Sequence, residues 1–286
     1  MTTNKDLVAF ILTHGRPDNV LTHRVLRESG YTGRIVLVID NEDKTADQYY
    51  ERYGTDDVVM FDKAEAGKYF DIADTRTDRR ATVFARNACF GIAKQLGYKY
   101  LWQLDDDYIG FYFRTIQGES LRGIRNYRLD ETMKHMVDWL ERSGAATVAM
   151  AQGGEYIGGK HSALARHRIR RKAMNSWLFR TDRPLTFVGR MNDDVNTYVM
   201  NGIRGELIMT PWCASLVALM TQNVAGGMTE MYVDTGTYMK TFYSVMMAPA
   251  SVRVRTLGPT NPRAHHHINW NHCVPKVIEE KYRKPR

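Results

Sequence analysis

The chain has 286 residues, a formal net charge of +8, 43% hydrophobic and 25% charged residues, proportions that predict a globular α/β protein with a sizeable core. No apolar run is long enough to span a bilayer, and the opening Met1–Asp6 lacks the apolar stretch of a signal peptide. Three scattered cysteines, Cys89, Cys213 and Cys273, argue for reduced thiols in a cytosolic protein and against a disulfide framework.

The first half alternates strand and helix. Leu7–Thr13 predicts an apolar strand, and Asp18 caps a helix to about Glu28 that Gly30 ends. Arg34–Ile39 is a second strand closing on Asp40, Ala46–Tyr53 a short helix stopped by Gly54, and Asp57–Phe61 a third strand. A polar loop, Asp71–Arg80, precedes a helix over Ala81–Leu96, where Ala81, Phe84, Ala88, Ile92 and Leu96 recur at helical spacing. Tyr100–Leu104 is the fourth strand. Strands separated by helices require right-handed crossovers and a parallel sheet.

The second half is less regular. It predicts a strand at Gly110–Arg114, a helix at Asp130–Arg142 and a strand at Ala145–Ala151, followed by a mobile loop at Gly153–Lys172. Short strands at Ser176–Phe179 and Leu185–Val188, helices near Val195–Met200 and Val233–Met246, and a surface-wrapping tail complete it. There is no internal repeat and no linker, so one domain is expected.

Chemistry concentrates at the fourth strand, where Asp105, Asp106 and Asp107 follow a nearly all-apolar run. Adjacent carboxylates repel and raise each other's pKa unless a cation neutralises them, and a divalent metal with oxygen ligands does so most economically. A strand ending in such a site, at the edge of an open α/β sheet, is a usual seat for a nucleotide diphosphate. The alternative is a turn cap. Between Lys160 and Arg190 lie nine basic residues and one acidic residue, which account for the whole net positive charge. Such a segment predicts either a polyanion footprint or a solvated charged loop.

The stretches Phe10–Asn19 (FILTHGRPDN), Val38-Ile39-Asp40, Arg86-Asn87, Leu104–Asp107 and Phe187–Asp194 (FVGRMNDD) together resemble the TET-associated glycosyltransferase family over roughly residues 5–275. The resemblance implies a single A-type glycosyltransferase domain spanning 1–286, with a Rossmann-like, mostly parallel central sheet flanked by helices. A nucleotide-sugar half would cover about 5–110, an acceptor half about 111–275 and a tail 276–286. The family occurs largely in tailed phages and implies transfer of a sugar, with UDP-glucose as donor, to 5-hydroxymethylcytosine in DNA. The protein would then work in the cytoplasm of the host cell, without a membrane partner.

By that resemblance Asp107 is the principal ligand of Mn2+ or Mg2+, Asp105 lies near the ribose or the metal, and Asp106 faces the sugar hydroxyls. Thr13 and Arg16 sit where the nucleotide enters; Arg16 pairs with a phosphate or bridges to Asp18. Asp40 accepts from the base or ribose, or begins the Asp40–Asp43 turn. Arg86 lies near the uracil and Asp105, or is a plain surface arginine. Asp194, with Asp193 as runner-up, is the base that takes the acceptor's proton in an inverting transfer, or the pair caps a helix. Of His265, His266 and His267, the last is the candidate metal ligand; a solvated or DNA-facing run is the other possibility. Arg166, Arg168, Arg170, Arg171 and Lys172 hold DNA phosphates, and Trp177 or Tyr156 stacks on or replaces an extruded base. Rival readings keep the acidic triplet but change the acceptor to a glycan, lipid or protein, make the enzyme a nucleotidyltransferase, or leave a non-catalytic nucleic-acid-binding protein.

Overall fold

Six consecutive buried residues form strand β1 (Leu7–Leu12), and their side chains divide cleanly between two cores. Leu7, Ala9 and Ile11 face one hydrophobic cluster, while Val8, Phe10 and Leu12 face the other. Successive strand side chains point to opposite faces, so an unbroken apolar run means a strand covered on both. The computed structural model describes residues 5–73, 79–219, 228–258 and 262–273.

Helix α1 (Leu21–Glu28), β2 (Arg34–Asp40), α2 (Ala46–Tyr53), β3 (Val58–Phe61), the short α3 (Lys63–Ala66), α4 (Val83–Gln95) and β4 (Tyr100–Asp105) follow. Strand β1 lies parallel to β2 and β4, and β2 parallel to β3. Parallel alignment brings the carboxyl ends of these strands to one edge, which gathers Thr13, Asp40, Asp105 and the residues after them. Asp18 does not cap α1: it lies in a 3-10 turn, Pro17–Asn19, and pairs with Arg52.

Beyond β4 come β5 (Tyr108–Gln117), β6 (Ser120–Arg125), α5 (Leu129–Ser143), β7 (Thr147–Val148) and β8 (Ala151–Gln152). Next are α6 (Ala163–His167), β9 (Ile169–Arg170), β10 (Trp177–Arg180), α7 (Asp193–Ile203), β11 (Ile208–Pro211) and β12 (Ala214–Ala218). Helix α8 (Met228–Met247), the hairpin β13 (Val252–Leu257) and β14 (Arg263–Ile268), and α9 (Trp270–Cys273) end the described chain.

The sheet topology corrects the expectation of a single A-type domain around one mostly parallel sheet. Among the described residues the strands form three sheets: eight strands ordered β3-β2-β1-β4-β10-β7-β11-β9, four ordered β6-β5-β12-β8, and the β13-β14 pair. In the largest, β10 runs antiparallel to both β4 and β7, and β9 antiparallel to β11. The predicted strand Ala145–Ala151 is cut in two because β7 joins the large sheet and β8 the four-stranded one. The chain repeats that crossing between β11 and β12.

Two further expectations change. Gly153–Lys172 holds two 3-10 turns, α6 and β9, with Ser162 capping α6 by accepting from the Ala165 N–H at 3.1 Å. Leu185–Val188 is not a strand. The Asn87 amide stands in for a neighbouring strand there, donating to the Phe187 carbonyl and accepting its N–H, both at 2.9 Å. The tail expectation beyond residue 273 lies outside the described residues.

Candidate active site

The turn after β4 is pinned from α1. The Thr22 hydroxyl donates to the Asp105 carbonyl at 2.6 Å and accepts from the Tyr108 N–H at 2.9 Å, while its own N–H donates to the Asp106 carbonyl at 3.1 Å. The three carboxylates therefore leave a fixed backbone in different directions.

Asp106 is buried and structural. One oxygen accepts from the Thr13 hydroxyl and the other from Arg16 Nη2, both at 2.7 Å, tying the β1 loop to the turn. Burial raises its pKa against those two partners. Both oxygens are engaged and the residue is only 2% exposed, which leaves little of it to meet sugar hydroxyls, and Arg16 meets Asp106 instead of Asp18. Asp105 accepts from Arg86 Nη2 at 3.1 Å. Asp107 makes no ion pair with a described residue; burial and then the charges of Asp105 and Asp106 push its pKa up to about 7.

That crowding fits a divalent cation. Asp107 and Asp105 offer oxygen donors of the kind Mg2+ or Mn2+ takes, and Mg2+ typically binds through one or two carboxylates, with phosphates and water completing its sphere. Among the described residues no group of three or more His, Cys, Asp or Glu side chains is arranged to hold a metal. No such cluster joins His267 to Asp105 and Asp107 among the described residues. His267 is exposed on β14, whereas His266 turns inward and lies 3.4 Å from Asn192 Nδ2. Burial, His265 and two lysines push His266 down to about 4.

Beside Thr13 and Arg16, which reach Asp106, a pocket open to solvent lies at the carboxyl ends of β1, β2 and β3 and the start of α4. Leu12, Val38, Phe61 and Ala85 give it apolar walls, and His14, Arg16, Asp40, Lys63 and Arg80 its charge. Asp40 is buried and accepts from His14 Nδ1 at 2.8 Å and Lys63 Nζ at 3.1 Å. Lys63 and His14 escaped the sequence reading, though His14 lies inside the first motif and Lys63 directly follows the third strand. Position at a strand's carboxyl end was the available signal.

Arg86 joins the two acidic groups. Its Nε donates to Asp193 at 2.8 Å and its Nη2 to Asp105, with the guanidinium 5.6 Å from the Phe187 ring centroid. It is buried, not a surface arginine, because the Phe187 segment and α7 cover the side of α4 that the apolar stripe leaves open. The two carboxylates hold its pKa above the ordinary arginine value despite burial.

Asp193 and Asp194 open α7, preceded by Asn192 in the left-handed region at φ 52°. Asn192 does not cap the helix with its side chain; its amide nitrogen donates to the Lys240 carbonyl at 2.5 Å and to Ser244 Oγ at 3.1 Å. Asp193 is engaged by Arg86. Asp194 accepts the Val195 N–H at 2.8 Å, and burial together with Asp193 pushes its pKa up to about 6, within reach of a general base at neutral pH.

The basic segment is more neutralised than the sequence suggests. Lys160 pairs with Glu119, Lys172 with Glu155, Arg180 with Asp182 and Glu141, and Arg183 with Glu206. Arg190 is buried. Arg166, Arg168 and Arg171 remain exposed and Arg170 partly so, with Arg168 stacked on Trp212 at 4.2 Å. Neither proposed stacking aromatic is available. Trp177 is wholly buried against Phe179 and Phe187, and buried Tyr156 donates to the Trp212 carbonyl at 2.6 Å beneath Arg114.

Residues 8–227 match the family model described as TET-Associated Glycosyltransferase. No curated protein matches the chain. Among solved structures, glucosyl-3-phosphoglycerate synthase from Mycobacterium tuberculosis with Mg2+ and uridine diphosphate is similar at 9% identity and a TM-score of 0.47, over 92% of this chain and 88% of that one. The same enzyme with Mn2+ and UDP-glucose gives 9% and 0.47, over 92% and 86%. Residues 1–349 of TarS from S. aureus give 10% and 0.43, over 74% and 60%. With a family match across most of its length, the chain belongs to the TET-associated glycosyltransferase family and is a glycosyltransferase.

Proposed function

We propose that this glycosyltransferase moves a sugar, glucose first among candidates, from a UDP-sugar to the hydroxymethyl oxygen of 5-hydroxymethylcytosine in DNA. The observation carrying the reading is the Asp105–Arg86–Asp193 bridge, which sets the strand-end carboxylates and the α7 acidic pair against one guanidinium. The donor would occupy the pocket beside Thr13 and Arg16, within a nucleotide-sugar half of about 5–110, and the acceptor the half of about 111–275.

Transfer forms a bond from the acceptor oxygen to the anomeric carbon and breaks the bond from that carbon to the diphosphate, whose oxygen keeps the electron pair. In an inverting transfer Asp194 receives the acceptor's proton, because Asp193 already balances Arg86. Asp107 and Asp105 would hold Mn2+ or Mg2+, which supplies Lewis-acid neutralisation of the departing diphosphate. Arg166, Arg168, Arg170 and Arg171 offer charge to the DNA backbone, while Lys172 is largely committed to Glu155. The three cysteines are free thiols, the usual state in a reducing cytoplasm, where this reading places the protein.

Incubation with Mn2+, a panel of nucleotide sugars, and DNA with or without 5-hydroxymethylcytosine tests this through nucleoside masses. A hexose added only to the modified base is expected. Transfer to a glycan, lipid or protein with none to any DNA overturns the acceptor assignment.

A further inference from the structure

Resting on the donor-pocket reading above, we infer that His14, not Asp40, is the side chain that hydrogen-bonds the nucleotide donor, held in place by Asp40, so that an anionic nucleotide sugar binds most tightly to the protonated imidazole. Asp40 has little left to offer a ligand. One oxygen accepts from His14 and Lys63, the other accepts the Glu42 N–H at 3.1 Å, and its side chain is only 6% exposed. The His14 side chain, by contrast, is 41% exposed and lines the pocket.

An ionised carboxylate only accepts, so His14 Nδ1 carries a hydrogen toward Asp40 and Nε2 is left for the ligand. A neutral ring presents a lone pair at Nε2; a protonated ring presents a donor and a positive charge. The groups around the ring come from several elements. Asp40 ends β2, Asp43 lies in the following turn 3.8 Å from Nδ1, and Lys63 begins α3. Arg16 and Arg80 complete the charged lining, and Glu42 with Arg79 form a pair nearby. Asp43 also accepts the Gly15 N–H at 2.7 Å, which fixes the loop carrying the ring. The Asp40 hydrogen bond, followed by its charge after the opposing effect of burial, raises His14 above the usual histidine value. The imidazolium therefore persists to higher pH than that of an ordinary histidine, and affinity should fall as pH rises through that raised value.

Calorimetric titration of the full chain with UDP-glucose in saturating Mg2+, from pH 5.5 to 8.5, tests this against His14→Gln. The sugar-esterified diphosphate keeps its charge over that range. Binding by the wild type should exceed that of His14→Gln by about tenfold at the acid end, and the two should converge at the alkaline end. Dependence shared by both proteins belongs to the acidic triplet, and only their difference reports His14. A ring resonance absent from His14→Gln should titrate above the usual histidine value in the wild type and shift back toward it in Asp40→Asn. Equal affinities of wild type and His14→Gln at every pH overturn the role of His14 and leave the donor pocket standing. Failure of the wild type to bind UDP-glucose or UDP at any pH overturns the pocket reading and this inference together.

Discussion

Asp107 shows what one uncompensated charge does to a fold. Its folded pKa of about 7 lies above that of an unfolded aspartate, so between those values the native state holds a proton the unfolded chain has lost. Stability contributed by the protonated group is present at low pH and declines as pH rises toward 7. Without divalent cation, Asp107→Asn should therefore melt a few degrees above the wild type at pH 7.5, with the gap closing near pH 4. Added Mg2+ or Mn2+ should raise the wild-type melting temperature and not the variant's, and the variant should lose metal-dependent transfer. Thermal scans at two pH values and a product assay check this; a variant that melts lower at pH 7.5 would contradict it. The sequence exposed the triplet because three acids after an apolar strand are conspicuous. It did not separate their roles, since Asp106 is consumed by Thr13 and Arg16 from a loop ninety residues away.

Between elements, Arg86 is the joint linking α4, β4 and α7. Arg86→Gln leaves two carboxylates without their counter-charge; Asp193 and Arg86 expose only 11% and 5% of their side chains. Removing one partner of such a pair costs about 3–5 kcal/mol. Chemical denaturation should show a loss of that order, and Arg86→Met combined with Asp193→Leu should recover part of it while activity stays lost. Recovery of activity in the double variant would remove the joint from the site. The elements around it were legible where period was long: β1, β2, α2, α4 and β4 fall within a few residues of their expected bounds. Legibility failed at β6, β11, β12 and the β13–β14 hairpin. Those strands are short or lie at sheet edges, and β6 is exposed along most of its length, so no apolar alternation marks it. Arg86 lies beside Asp105, as the resemblance implied, but its burial was not legible, for a related reason. A helical stripe reveals one buried face, and α4 has a second, covered by a segment a hundred residues downstream.

At the scale of the whole molecule, the net charge of +8 becomes a more restricted surface, because at least four of the nine basic residues of the 160–190 segment pair with acids among the described residues and Arg190 is buried. DNA affinity should fall steeply with salt. Alanine at Arg166, Arg170 or Arg171 should reduce the slope of log K against log salt by about 0.9 for each phosphate no longer neutralised, and Lys172→Ala by much less. Fluorescence anisotropy across a salt series reads both, and an unchanged slope in all the arginine variants would exclude this surface. The family and its chemistry were readable in the motifs; the arrangement in three sheets was not, since two short stretches each pass from one sheet to another where the sequence shows only continuous apolar residues.

The start of α7 leans on the C-terminal elements. Asn192 is held by Lys240, Ser244 and His266, and a Cβ on Gly202 would come within 2.0 Å of the Cys273 carbonyl oxygen. During synthesis the residues that line the donor pocket all precede residue 86, but Asp193 and Asp194 lack their support until the hairpin and α9 have emerged. At about 5–20 residues per second, roughly ten to forty seconds separate the last pocket residue from the end of α9. A chain still on the ribosome therefore carries its donor-facing side chains well before its base is supported.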